Sequence, residues 1–82
     1  MITPDPVAGM VATLARGLVD HPGAVDVRTA DEGGARVIEL RVADGDLGQV
    51  IGRGGRVARA LRAVVRAAAG ARGERYTLEI VD

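Results

Sequence analysis

Apolar residues recur at helical spacing along the first part of the chain. Val7, Met10, Val11, Leu14 and Leu18 follow the i, i+3, i+4, i+7, i+11 pattern of one helix face. Asp5 precedes them as an N-cap, and Pro6 suits the first helical position. Gly9 and Gly17 each cost this helix roughly 1 kcal/mol relative to alanine, and both permit close packing on a sheet. Asp20-His21-Pro22-Gly23 ends it, with His21 near the negative pole of the helix dipole. The pattern then changes to alternation. From Ala24 to Thr29, Val25 and Val27 share one face and Asp26 and Arg28 the other, which predicts a half-buried strand. A second strand runs from Arg36 to Val42, with Ile38, Leu40 and Val42 inward and Val37, Glu39 and Arg41 outward. Asp31-Glu32-Gly33-Gly34 between them is turn material, so the pair reads as an antiparallel hairpin.

Ala43-Asp44-Gly45-Asp46 forms the next turn, with Asp44 or Asp46 capping a short helix through Gln49 or Val50. A long helix is predicted from Arg56 to Ala69, burying Val57, Ala60, Leu61, Val64, Val65 and Ala68. Arg59, Arg62 and Arg66 cluster opposite that face, with Arg56 nearer its edge. Gly70 ends this helix, and Ala71 to Glu74 is a short loop. In the last segment Tyr76, Leu78 and Ile80 alternate with Thr77, Glu79 and Val81 as a final strand.

The element order is therefore α-β-β-α-α-β, an α+β arrangement. About thirty residues with two helices join the second and third strands, enough for a right-handed crossover between parallel neighbours. The prediction is a three-stranded mixed sheet with three helices on one face. Glu39, Arg41, Thr77 and Glu79 leave the other face largely wet. Residues 1–5 read as a lead-in and 6–82 as one domain, since 82 residues suffice for one domain and no more.

Composition narrows the possible chemistry. There is no cysteine, which excludes disulfides, thiolate metal sites and cysteine nucleophiles. His21 is the only histidine, so no histidine pair can ligate a metal. Asp44 and Asp46 lack the further ligands and terminal glutamate of a calcium loop. No apolar run approaches membrane-spanning length and no charged-then-apolar leader opens the chain, so a soluble, cytoplasmic protein is expected. Net charge is zero, but its distribution is uneven. Residues 52–75 carry Arg53, Arg56, Arg59, Arg62, Arg66, Arg72 and Arg75 against Glu74 alone, a net +6, while residues 1–51 carry −4. The molecule is dipolar, with its positive pole near a glycine-rich turn.

That turn is Val50-Ile51-Gly52-Arg53-Gly54-Gly55-Arg56, between the two later helices. Glycines there allow positive φ and close backbone approach, and the following helix offers its first-turn N–H groups to an anion. One reading is a phosphate-gripping loop; the other is a helix–turn–helix corner where glycine relieves crowding. An enzyme fits neither. The dinucleotide pattern fails because position 57 is Val, a Gly-Lys-Ser/Thr phosphate loop is absent, and no nucleophile–histidine pair is supported. No cofactor is implied.

The Ile-Gly-x-x-Gly signature in this element order resembles a type II KH domain. Length, the Leu18-Val19-Asp20-His21-Pro22 segment and the Leu78-Glu79-Ile80-Val81-Asp82 ending resemble the small bacterial single-KH RNA-binding proteins of the KhpA type. The resemblance implies a groove for about four nucleotides of single-stranded RNA, clamped by Gly52, Arg53, Gly54 and Gly55. Ile51 would form apolar groove wall, Arg56 would open the helix facing phosphate, and Arg59 would extend the positive field, as would Arg62 and Arg66. Gly54 stands where the family commonly has a basic or polar residue, which implies a more flexible loop. The resemblance also implies a homodimer, or a heterodimer with a larger KH-containing protein of the Jag/KhpB type, influencing cell elongation and division. The dimer surface expected is the neutral face near Val57, Ala58 and Leu61. The alternative is a dimerisation subunit with little RNA affinity of its own.

Overall fold

A computed structural model describes residues 5–81. Most of the lead-in, residues 1–4, and the terminal Asp82 lie outside the described residues. The first helix, α1, spans Pro6–Leu18 and starts as its sequence demands. Asp5 Oδ1 accepts from the Val7 amide at 2.9 Å and the Ala8 amide at 3.2 Å, satisfying two of the helix's free donors.

The hairpin consists of β1 (Asp26–Glu32) and β2 (Ala35–Arg41). The turn is tighter than the sequence suggested. Asp31 and Glu32 belong to β1, and only Gly33 and Gly34 connect the strands, at φ 58° and 83°. Two successive positive φ values match the twist of a two-residue hairpin, and glycine supplies both without strain. The chain continues through a short 3-10 turn, Asp44–Asp46, into α2 (Leu47–Ile51) and, past the glycine turn, α3 (Arg56–Ala71). It returns as β3 (Tyr76–Val81), parallel to β2, giving the strand order β1-β2-β3. This is an α+β fold with a three-stranded mixed sheet and three helices.

Val7, Val11 and Ala15 of α1 and Leu61, Val65 and Ala69 of α3 meet Ile38, Leu40, Tyr76 and Leu78 of the sheet in one core. Both long helices are rotated from the faces that periodicity favoured. On α1 the buried stripe includes Ala12 and Ala15, while Leu14 and Leu18 are 39% and 40% exposed. Alanines let α1 lie close to the sheet, and the leucines project beside it. On α3 the buried residues are Ala58, Leu61, Val65 and Ala69; Ala60 and Val64 are exposed, and Val57 and Ala68 only half-buried. Gly9 and Gly17 do not mediate close packing: a Cβ at either would meet nothing within 4 Å.

Three further expectations are corrected. Val37, on the outer sheet face, is buried between its register partners Ala30 and Thr77 in the central strand. Gly70 does not stop α3, which runs on to Ala71. The stop comes at Gly73, at φ 69°, where the Glu74 amide turns back to the Ala69 carbonyl at 2.9 Å. Neither Asp44 nor Asp46 caps α2 through its side chain. Asp46 is 1% exposed, and its Oδ2 accepts from the His21 amide at 2.9 Å and lies 3.1 Å from His21 Nδ1. His21 therefore ties the α1–β1 connection to the start of α2.

A second polar clasp fastens α1 to the sheet. Asp5 Oδ2 accepts from Arg36 Nη1 and from the Tyr76 hydroxyl, both at 2.7 Å. Burial pushes the Asp5 carboxyl up, but hydrogen bonds from Arg36, Tyr76 and the Ala8 and Val7 amides outweigh it and hold the pKa at about 2.

Candidate nucleic-acid interface

The glycine turn is built by backbone conformations that only glycine adopts freely. Gly52 sits at φ 77°, Gly54 at 63° and Gly55 at 79°. The Gly52 amide closes α2 on the Gly48 carbonyl at 2.8 Å, and the Gly55 amide bonds back to the Gly52 carbonyl at 3.1 Å. Packing adds a second constraint at Gly52. A Cβ there would lie 2.5 Å from Val57 Cγ2 and 2.8 Å from the Val57 backbone nitrogen. Gly54 faces open space by contrast. Ile51, at the end of α2, is 37% exposed beside the turn.

Cations surround this turn. Arg53 lies in it and Arg56 opens α3, and both are exposed. Among the described residues neither pairs with a carboxylate. No side chain caps the start of α3, and only its first amide, that of Arg56, is tied back, to the Arg53 carbonyl of the turn. Arg59 is committed differently: its Nη1 donates to the Gly54 carbonyl at 2.8 Å. The structure thus places Ile51, Gly52, Arg53, Gly54, Gly55, Arg56 and Arg59 around a single corner.

Arg59, Arg62 and Arg66 continue from this corner in one stripe along α3. The stripe leads to a hollow of about 260 Å³ between α3 and β3, lined by Arg62, Val65, Arg66, Tyr76, Thr77 and Leu78. Among the described residues β3 pairs only with β2, as an edge strand. Sequence reasoning singled out the loop but not this hollow. The predicted parallel crossover was the available signal, because it already put the last strand beside the long helix. A larger cleft between α1 and β1 is lined by Asp5, Asp26 and Asp31 as well as Arg16 and Arg36, and its carboxylates disfavour a polyanion.

A different surface is apolar. Leu14, Gly17 and Leu18 of α1 face Val57, Ala60 and Val64 of α3 across a shallow groove of about 450 Å³. Three of the four large exposed hydrophobics among the described residues, Leu14, Leu18 and Val64, lie here. Of the neutral face expected near Val57, Ala58 and Leu61, the structure buries Ala58 and Leu61 and leaves Val57 half-exposed. Among the described residues no group of three His, Asp or Glu side chains could hold a metal, and no helix is long and apolar enough to cross a membrane.

A family model for the KH domain of KhpA and KhpB matches residues 8–80. The chain belongs to the KhpA/KhpB KH-domain family. KH domains of this family are non-catalytic modules for single-stranded RNA. The chain is 49% identical over 73 residues to the RNA-binding protein KhpA of Treponema pallidum, covering 89% of this chain and 91% of that protein. It is 52% identical over 69 residues to the RNA-binding protein KhpA of Streptomyces coelicolor, covering 84% and 86%. Among solved structures, a crystal structure of Aquifex aeolicus Era superposes with a TM-score of 0.64 at 22% identity, covering 98% of this chain and 32% of that one. That likeness is one of fold.

Proposed function

We propose that this chain binds single-stranded RNA without catalysis, gripping the sugar-phosphate backbone with Gly52, Arg53, Gly54 and Gly55. Arg53 and Arg56 meet phosphates, Ile51 supports a base, and Arg59 belongs to the same site. The observation that carries this reading is the pair of unpartnered arginines, Arg53 and Arg56, beside an uncapped start of α3. The names of the relatives agree with it. Residues 6–82 act as one KH domain, with 1–5 a lead-in. The setting is the cytoplasm, as one half of an RNA-binding pair that influences cell elongation and division. Its partner is a second copy or a larger Jag/KhpB-like protein.

The test is a titration with short labelled single-stranded RNA at low and moderate salt, comparing wild type with the Arg53→Asp, Gly54→Asp variant. With two to four phosphates neutralised, log affinity falls with log salt at a slope of roughly −1.4 to −2.8. Aspartate tolerates the positive φ at position 54, so the variant keeps its fold and loses binding. Undiminished affinity in the variant rules out the clamp.

The alternative, a dimerisation subunit with little RNA affinity, is favoured by the exposed apolar groove between α1 and α3. It requires tight partner binding that survives the two loop aspartates.

A further inference from the structure

The peptide joining Gly54 and Gly55 is held at both of its polar groups. Its carbonyl accepts from Arg59 Nη1 at 2.8 Å, and its N–H donates to the Gly52 carbonyl at 3.1 Å. A peptide between two glycines turns over easily, because glycine takes either sign of φ at little cost. Nothing steric opposes the movement at Gly54, where even an added Cβ would meet nothing within 4 Å. Turning this peptide would swing its carbonyl away from α3 and withdraw the Gly55 N–H from Gly52, opening the turn.

Arg59 is placed to prevent this. Side chains on a helix lean toward its N-terminus, so an arginine one turn inside α3 reaches back over the first turn to the loop. A Cβ at Gly55 would sit 3.4 Å from Arg59 Nη1, so the bare glycine leaves the guanidinium room. The bond is exposed to water, and its bias on the loop's equilibrium is about two- to tenfold. That suffices where the competing conformations are nearly equal in energy.

We infer that Arg59 is a positioning residue of the glycine loop, fixing the Gly54–Gly55 peptide so that the loop meets RNA already shaped. This rests on the reading of the loop as the RNA clamp. It also offsets the extra freedom of Gly54: a polar side chain there would stiffen the loop from within, whereas Arg59 stiffens it from α3.

The experiment compares wild type, Arg59→Met, and Arg59→Met with Gly54→Asn. Methionine keeps an unbranched stem without the donor. Asparagine tolerates positive φ and narrows the loop's free conformations. The first readout is the amide order parameter of Gly54 and Gly55 without RNA. Arg59→Met is expected to lower both toward about 0.6, and Gly54→Asn to restore them in part. The second readout is affinity for short single-stranded RNA across salt concentrations. Arg59→Met is expected to weaken binding by up to about tenfold, the cost of ordering one more residue. The salt slope stays unchanged, and Gly54→Asn recovers part of the loss. If Arg59 were instead a direct phosphate contact, the slope would shrink by about 0.7, loop order would not change, and asparagine would rescue nothing. Unchanged order parameters overturn the inference. Failure of wild type to bind RNA at all overturns the clamp reading instead, and the order parameters still decide what Arg59 does to the loop.

Discussion

The carboxylate of Asp46 and the backbone of His21, twenty-five residues apart in sequence, share a 2.9 Å hydrogen bond. Asp46 is buried, whereas the His21 side chain is 67% exposed. The imidazole contact at 3.1 Å is therefore partly screened by water, and the amide bond is the more protected of the two. Asp46→Ala is expected to destabilise the fold by about 1–3 kcal/mol, because it leaves the His21 N–H without its acceptor. His21→Ala keeps that amide and costs less. Urea denaturation of the two variants checks the order, and a His21→Ala loss equal to that of Asp46→Ala would place the energy in the ring contact.

Stability against acid depends on Asp5. Its folded pKa of about 2 lies below the ordinary aspartate value of 3.8. A depressed carboxylate stabilises the fold above its unfolded pKa, and that contribution is lost as pH falls from about 4 toward 2. The expected loss is about 2 kcal/mol. Asp5→Asn keeps an N-cap acceptor but removes the charge, so its stability profile over this range is flatter. Denaturation at a series of pH values reads the difference between the two slopes.

Two glycines respond oppositely to alanine. Gly52→Ala places a Cβ against Val57 and at positive φ, and a loss of more than about 2 kcal/mol is expected. Gly70→Ala fills open space within α3 and gains about 0.5–1 kcal/mol. Thermal unfolding distinguishes them by the direction of the Tm shift.

The groove between α1 and α3 makes a separate prediction. Leu14→Asp and Val64→Asp introduce charge where the side chains are 39% and 40% exposed, so the core survives. If this surface joins two copies, each variant lowers the measured mass toward that of one chain in sedimentation equilibrium, with the helical spectrum retained. Ala58→Asp, by contrast, puts a charge on a buried position of α3 and is expected to unfold the chain.

The order of elements, the Asp5 cap, the hairpin and the glycine turn were legible because each has a local cause within a few residues. The rotation of α3 was not. Val57, Ala58, Ala60, Leu61, Val64, Val65, Ala68 and Ala69 make an apolar arc roughly 180° wide, broader than the sheet alone can cover. Periodicity identifies such an arc but not which stripe meets the sheet and which remains beside α1. Gly70 and Gly73 look alike in sequence, and only the backbone dihedral tells the helical residue from the stop. The bond from Arg59 to Gly54 was hidden for another reason. Arginine on the polar side of a helix reads as a free cation, and its commitment depends on how the loop turns back toward it.

Tyr76 is the only aromatic residue of the chain, and its hydroxyl is fastened to Asp5. Burial and that hydrogen bond both push the phenol's pKa up, so the fold keeps its proton into more alkaline solution than an unfolded chain would. The contribution is complete below the unfolded value and lost as pH rises through the folded one. The protein thus carries a built-in optical gauge. In an alkaline titration, phenolate absorbance marks the loss of the Tyr76–Asp5 bond while the Arg36–Asp5 pair persists, with no label attached and no second phenol or indole to obscure the signal.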